Sequence, residues 1–121
     1  MKTHSQFQFA TLCLISIATI ATSSAQTKKI SYSTVAGLIK SQCAYCHNAK
    51  NHPEKIDLSS LSALWKSGEH GPIVVAGHPE KSKLIQYIDG TKSPRMPFKK
   101  PPMTTADINL LKKWIAAGAK S

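Results

Sequence analysis

Apolar residues recur along this chain in short helical stripes set between polar, glycine- and proline-rich stretches. Val35, Leu38 and Ile39 fall at i, i+3 and i+4, which predicts a helix from Ser31 to about Gln42 with Ser31 or Ser33 as its cap. Gly37 inside that helix predicts a close approach of another helix. Leu61, Leu64 and Trp65 predict a second, short helix within residues 57–68, capped by Ser59 or Ser60 and ended by Gly68, with Trp65 in the core. A third opens at His78-Pro79 and runs to about Asp89, with Leu84, Ile85 and Ile88 as its apolar face and Gly90 closing it. The clearest helix is residues 104–118, with Ile108, Leu111, Trp114 and Ile115 on one stripe, Thr104 and Asp107 as a capping pair, and Gly118 beyond the end. Its Leu111/Trp114 face is expected to cross the first helix near Val35 and Ile39. Ile73, Val74 and Val75 could form a strand, but no partner strand is visible, so they read as extended backbone.

The first 25 residues follow a different pattern. Lys2 precedes an uncharged apolar run, residues 9–21, and Ser23-Ser24-Ala25 offers a small-residue cleavage site before Gln26. Residues 1–25 therefore read as a secretory signal peptide and residues 26–121 as one domain. The rival is an uncleaved anchor, although the run is shorter than the ~20 residues a spanning helix needs. Cys13 lies inside the run and does not fit a lipoprotein signal. A domain this small buries only about 60–65% of its unfolded surface and is marginal alone.

Charge adds a partner class. With Lys2 removed, 15 Lys and Arg face 6 Asp and Glu. Nucleic acid is disfavoured by the exported compartment and by the absence of a recognition module. Steering towards an acidic partner fits better, and general solubility is the plain alternative.

The chemistry centres on Cys43-Ala44-Tyr45-Cys46-His47, a C-x-x-C-H sequence. Two thiols about one helical turn apart can reach both vinyl groups of a haem and form thioethers, and the adjacent imidazole can ligate the iron. A zinc half-site would need a second ligand pair, but after signal cleavage the only cysteines are Cys43 and Cys46. A thioredoxin-like pair would need a β-α-β setting, and no strand pattern precedes this one. Residues 48–56 read as a polar loop under one haem edge, with His52 solvated. A carbonyl there, such as that of Pro53, is expected to accept the other imidazole N–H of His47. Trp65 is read as packing against the haem or its neighbours.

For the sixth ligand, Met96 is favoured. It sits in a loop restricted by Pro94 and Pro97, and a thioether opposite an imidazole raises the reduction potential. His78, Met103 or an open site are the alternatives, with Met103 better suited to filling core.

With those residues in view, the chain resembles the class I c-type cytochromes, and among them the short planctomycete-type cytochrome c domains. CAYCH, IDLSS, GPIVVAGHPEKSKLI, RMP and TTADINLLKKWIAAGA carry the resemblance in order. It implies an all-α fold with crossed terminal helices and one covalent haem c held by Cys43 and Cys46. It further implies His47 as proximal and Met96 as distal iron ligand. The chain departs from the pattern with His78 for Asp, Phe98 for Pro, Ser67-Gly68 for Gly-Gly and Met103 for Leu.

The expectation is thus a periplasmic or otherwise exported monohaem electron carrier, not an enzyme, acting as a monomer without membrane insertion. Its partners would be redox proteins with acidic docking surfaces, guided by Lys50, Lys92, Lys99 and Lys100. The alternatives are a haem enzyme or gas sensor with an open or labile sixth site, for which His70 or His78 could supply a polar distal group, and a haem subunit of a larger redox complex.

Overall fold

The computed structural model describes residues 29–121. The signal peptide assigned to residues 1–25, and the start of the domain at residue 26, lie outside the described residues. Four α-helices are present among them, joined by turns and loops without a strand: α1 (Tyr32–Gln42), α2 (Leu61–Lys66), α3 (Lys83–Ile88) and α4 (Thr105–Ala116).

The two long helices form the frame. α1 packs on α4, and α3 also packs on α4. Val35 and Ile39 of α1 share one buried cluster with Leu111, Trp114 and Ile115 of α4. Trp114 is fully buried, and its ring lies 5.8 Å from that of Tyr32 at a tilt of 51°. Its indole N–H donates to the Lys120 carbonyl at 3.1 Å, and that carbonyl also accepts from the Tyr32 amide at 2.8 Å. The chain end thereby ties the start of α1 to α4.

Both ends of α4 are satisfied locally. The Thr104 hydroxyl oxygen accepts from the Asp107 amide at 3.1 Å, and the hydroxyl donates to the Asp107 carboxylate at 2.8 Å. At the other end Gly118, at φ +102°, lets its own amide bond the Ile115 carbonyl and the Ala119 amide bond that of Trp114.

The middle of the chain differs from the sequence reading at three places. Trp65 is not core but 45% exposed, because so short a helix turns only Leu64 fully inward. Gly37 marks no close approach, since a Cβ there would meet nothing within 4 Å. The expected helix from His78 to Asp89 is broken into a 3-10 turn at Pro79–Lys81 and α3. Ser82 sits between them with extended backbone and a fully buried side chain. Its hydroxyl accepts from the Val75 amide at 2.9 Å and donates to the His78 carbonyl at 2.9 Å.

Those bonds anchor residues 73–75, which form no strand. Ile73 and Val74 are buried, the Ile73 carbonyl accepts from the Leu84 amide, and the Gly77 amide reaches Ile115 in α4. Gly68 is required where α2 ends. Its φ is +103°, and a Cβ there would lie 2.2 Å from the Gly71 carbonyl oxygen.

Candidate haem site

Cys43–His47 continues directly from α1. The Cys43 and Ala44 amides both donate to the Ile39 carbonyl, at 2.9 and 3.1 Å, and the His47 amide donates to the Cys43 carbonyl at 2.9 Å. The helix therefore delivers two thiols and an imidazole on one compact turn. Cys43 is half-buried and Cys46 exposed. Burial, and secondarily the neighbouring Cys46, push the Cys43 thiol up to about 11. Such a group stays a thiol at neutral pH. Among the described residues no group of three or more His, Cys, Asp and Glu side chains converges as a metal site.

His47 is gripped from both sides of its backbone. Its carbonyl accepts from the amide of Leu58, a buried core residue, at 2.9 Å. Burial lowers the imidazole pKa below its ordinary value, against a smaller upward pull from the Ile56 backbone. The ring is thus held neutral, the form that ligates a metal. Its Nδ1 is buried and has no hydrogen-bond partner. The backbone group near the ring is that of Ile56, not Pro53, and the approach falls short of a hydrogen bond. Pro53 is otherwise engaged, because its carbonyl accepts from the Ile56 amide at 3.2 Å.

The residue that locks this turn was missed in the sequence. Asn48 donates from its side-chain amide to the Ala44 carbonyl at 2.8 Å and the Tyr45 carbonyl at 3.0 Å. Its side-chain oxygen accepts from the Lys50 and Asn51 amides. One side chain thus closes the motif and opens the following loop. The signal was available: an asparagine directly after a helical turn, at the head of a polar segment, is suited to an Asx-turn. The loop itself contains Glu54 and Lys55 in left-handed backbone at φ +56° and +55°. His52 is exposed, as expected.

Met96 comes from the other side of the chain. Its amide donates to the Tyr87 carbonyl at 2.9 Å, and the Lys92 amide donates to that of Gln86 at 2.8 Å. The proline loop is therefore stitched to the end of α3. Met96 is half-buried against the core cluster, and Pro97 behind it is buried. The Lys100 ammonium lies 5.5 Å from the centre of the Tyr45 ring, which joins this loop to the Cys43–His47 turn. Met103 is buried in the core. His78 is exposed and places its Nδ1 3.1 Å from the Glu80 carboxylate, while His70 is exposed and 3.9 Å from that of Glu54.

Residues 43–99 match the family model described as Planctomycete cytochrome C. That segment is similar to planctomycete-type cytochrome c domains. The match begins at Cys43 and runs past Met96, so it covers both segments of the site. It leaves α1 and α4 outside, and there the frame rests on the packing described above. No curated protein and no solved structure matches the chain. The matched family is one of cytochromes, proteins that bind haem and transfer electrons.

The residues present fit that group. The half-buried His47 ring keeps a buried Nδ1 without a hydrogen-bond partner, which leaves about 1–3 kcal/mol of desolvation uncompensated. Two thiols stand on the same turn, the half-buried one kept protonated. No helix among the described residues is long and apolar enough to cross a membrane.

Proposed function

We propose that this protein is an exported, periplasmic or otherwise extracytoplasmic, monohaem c-type cytochrome that carries electrons between protein partners. One haem c would be held by thioethers from Cys43 and Cys46, each S–H adding across a vinyl C=C without consuming an oxidant. His47 and Met96 would ligate the iron in this reading. A haem held there would supply reversible one-electron chemistry, and ligation by a thioether together with an imidazole would raise its potential.

The observation that carries the reading is His47. Burial keeps its imidazole neutral, Leu58 fixes its backbone, and α1 places it on the turn that bears both thiols. Asn48 closes that turn. Met96 is favoured over its rivals because it is half-buried on a loop joined to the Cys43–His47 turn through Lys100 and Tyr45. Met103 serves the core, and His78 and His70 face carboxylates at the surface. Export rests on residues 1–25 of the sequence. The excess of basic residues supports acidic redox partners and a monomeric protein that repels its own copies.

Extraction with acidified acetone tests the attachment. The haem should stay with the chain in the wild type and be extracted after Cys43→Ser together with Cys46→Ser. Full extraction from the wild type would refute thioether attachment.

A further inference from the structure

The loop that carries Met96 leaves α3 at Asp89 and enters α4 at Thr104. Its first part is not held by packing, since residues 90–95 are all exposed. Hydrogen bonds hold it instead, and they converge on the end of α3. The Gln86 and Tyr87 carbonyls, left open at the helix end, accept from the Lys92 and Met96 amides. Asp89 closes the turn between helix and loop. Its Oδ1 accepts from the Thr91 amide at 3.0 Å and from the Thr91 hydroxyl at 2.7 Å.

The second carboxylate oxygen of Asp89 serves another element. Lys112 of α4 places its Nζ 3.6 Å from Oδ2. This is the most shielded ion pair among the described residues, with the Asp89 side chain 25% and that of Lys112 41% exposed. Both residues line an open cleft together with Pro79, Glu80, Gln86 and Thr91. Glu80, the other carboxylate on that cleft, pairs with His78 at 3.1 Å and leaves Lys112 to Asp89. One carboxylate thus joins the start of the Met96 loop to a helix of the frame. A segment held by so few bonds opens locally more readily than the core unfolds.

We infer that Asp89 and Lys112 are positioning residues for Met96: together they latch the start of its loop to α4, and the frequency with which the latch opens sets how fast a small nitrogen base replaces the Met96 thioether at the iron. The inference rests on the His47/Met96 reading above and goes beyond it by naming what keeps Met96 in place. In the exchange one bond to iron breaks, one forms, and no electron moves. Asp89 acts through Thr91 and the turn that follows it.

The test uses the haem-loaded full protein in its ferric form, with imidazole as the probe. The rate of imidazole binding at saturating concentration is read from the visible spectrum, and amide hydrogen exchange at Lys92 and Met96 is read by NMR on the same samples. Asp89→Ala removes both arms of the latch and should raise the saturating rate about ten-fold. Lys112→Gln removes one arm and should raise it about two- to four-fold. Exchange at the two amides should quicken in the same order, and the resting spectrum should stay that of the wild type. Lys112→Arg should keep the wild-type rate. Ser82→Ala, whose lost bonds reach Val75 and His78 and not this loop, should change neither readout. An unchanged rate in Asp89→Ala and Lys112→Gln would overturn the inference, as would an equal acceleration by Ser82→Ala. A Met96→Ala variant that binds imidazole no faster than the wild type would instead refute Met96 as the ligand, the reading on which the inference rests.

Discussion

The side chain of Asn48 donates to the carbonyl of Ala44 across the Cys43–His47 turn at 2.8 Å, and this bond fixes the turn from below. Asn48→Ala would remove it, with the bond to Tyr45 and the two loop amides that Asn48 accepts. A loss of about 1–2 kcal/mol is expected in urea unfolding, because the carbonyls are only partly shielded from water. Asn48→Asp keeps the accepting oxygen and should recover part of that loss. A wild-type midpoint for the alanine variant would show that α1 alone holds the turn.

Met96 and Met103 separate by consequence. Met96→Ala should lower the reduction potential and open a site for carbon monoxide. Met103 is buried in the core, so Met103→Ala should cost about 2–4 kcal/mol of stability and leave the spectrum unchanged. Redox titration and thermal unfolding of the two variants check both statements. An exchange of the two outcomes would transfer the ligand assignment to Met103.

How far the sequence carried depends on where the determining contacts lie. α1 and α4 were legible because their signals lie within each helix: the stripe of Val35 and Ile39 in one, and the cap Thr104, the stripe residue Trp114 and the stop Gly118 in the other. The break at Ser82 was not, because its cause is a buried hydroxyl bonded to Val75, seven residues away. Trp65 matched an apolar stripe, yet in a six-residue helix the stripe is too short to decide which ring turns inward. The thiols and His47 were legible as a motif. The neutral state of His47 and the approach of Ile56 were not, because burial is a property of the folded loop.

Ser82 yields a second stability prediction. Ser82→Ala leaves the Val75 amide without its acceptor beneath a fully buried side chain. A cost of about 1–3 kcal/mol is expected, larger than for an exposed serine such as Ser62. Chemical denaturation of Ser82→Ala and Ser62→Ala side by side gives the comparison. Equal midpoints would mean that the 73–82 segment tolerates the unpaired amide.

Acid stability follows from two carboxylates. The Ser59 hydroxyl, then the Ser59 amide, hold Asp57 below its ordinary pKa, and the Thr91 hydroxyl does the same for Asp89, with help from its amide and Lys112. A carboxylate depressed in the folded state stabilises above its unfolded pKa, about 3.9, and that contribution is lost as pH falls through the folded value. Unfolding free energy should therefore be level in this respect at neutral pH and decline below about pH 4. Asp57→Asn and Asp89→Asn should each shallow that decline. Unchanged acid limbs in urea titrations from neutral pH downward would exclude both groups.

The central claim is a haem closed on both faces by His47 and Met96 and used for electron transfer. Its most direct test is the visible spectrum of the ferrous protein at neutral pH before and after carbon monoxide is added. The account predicts a six-coordinate spectrum that the gas leaves unchanged. Immediate formation of a carbon monoxide complex would contradict it and point to an open distal site.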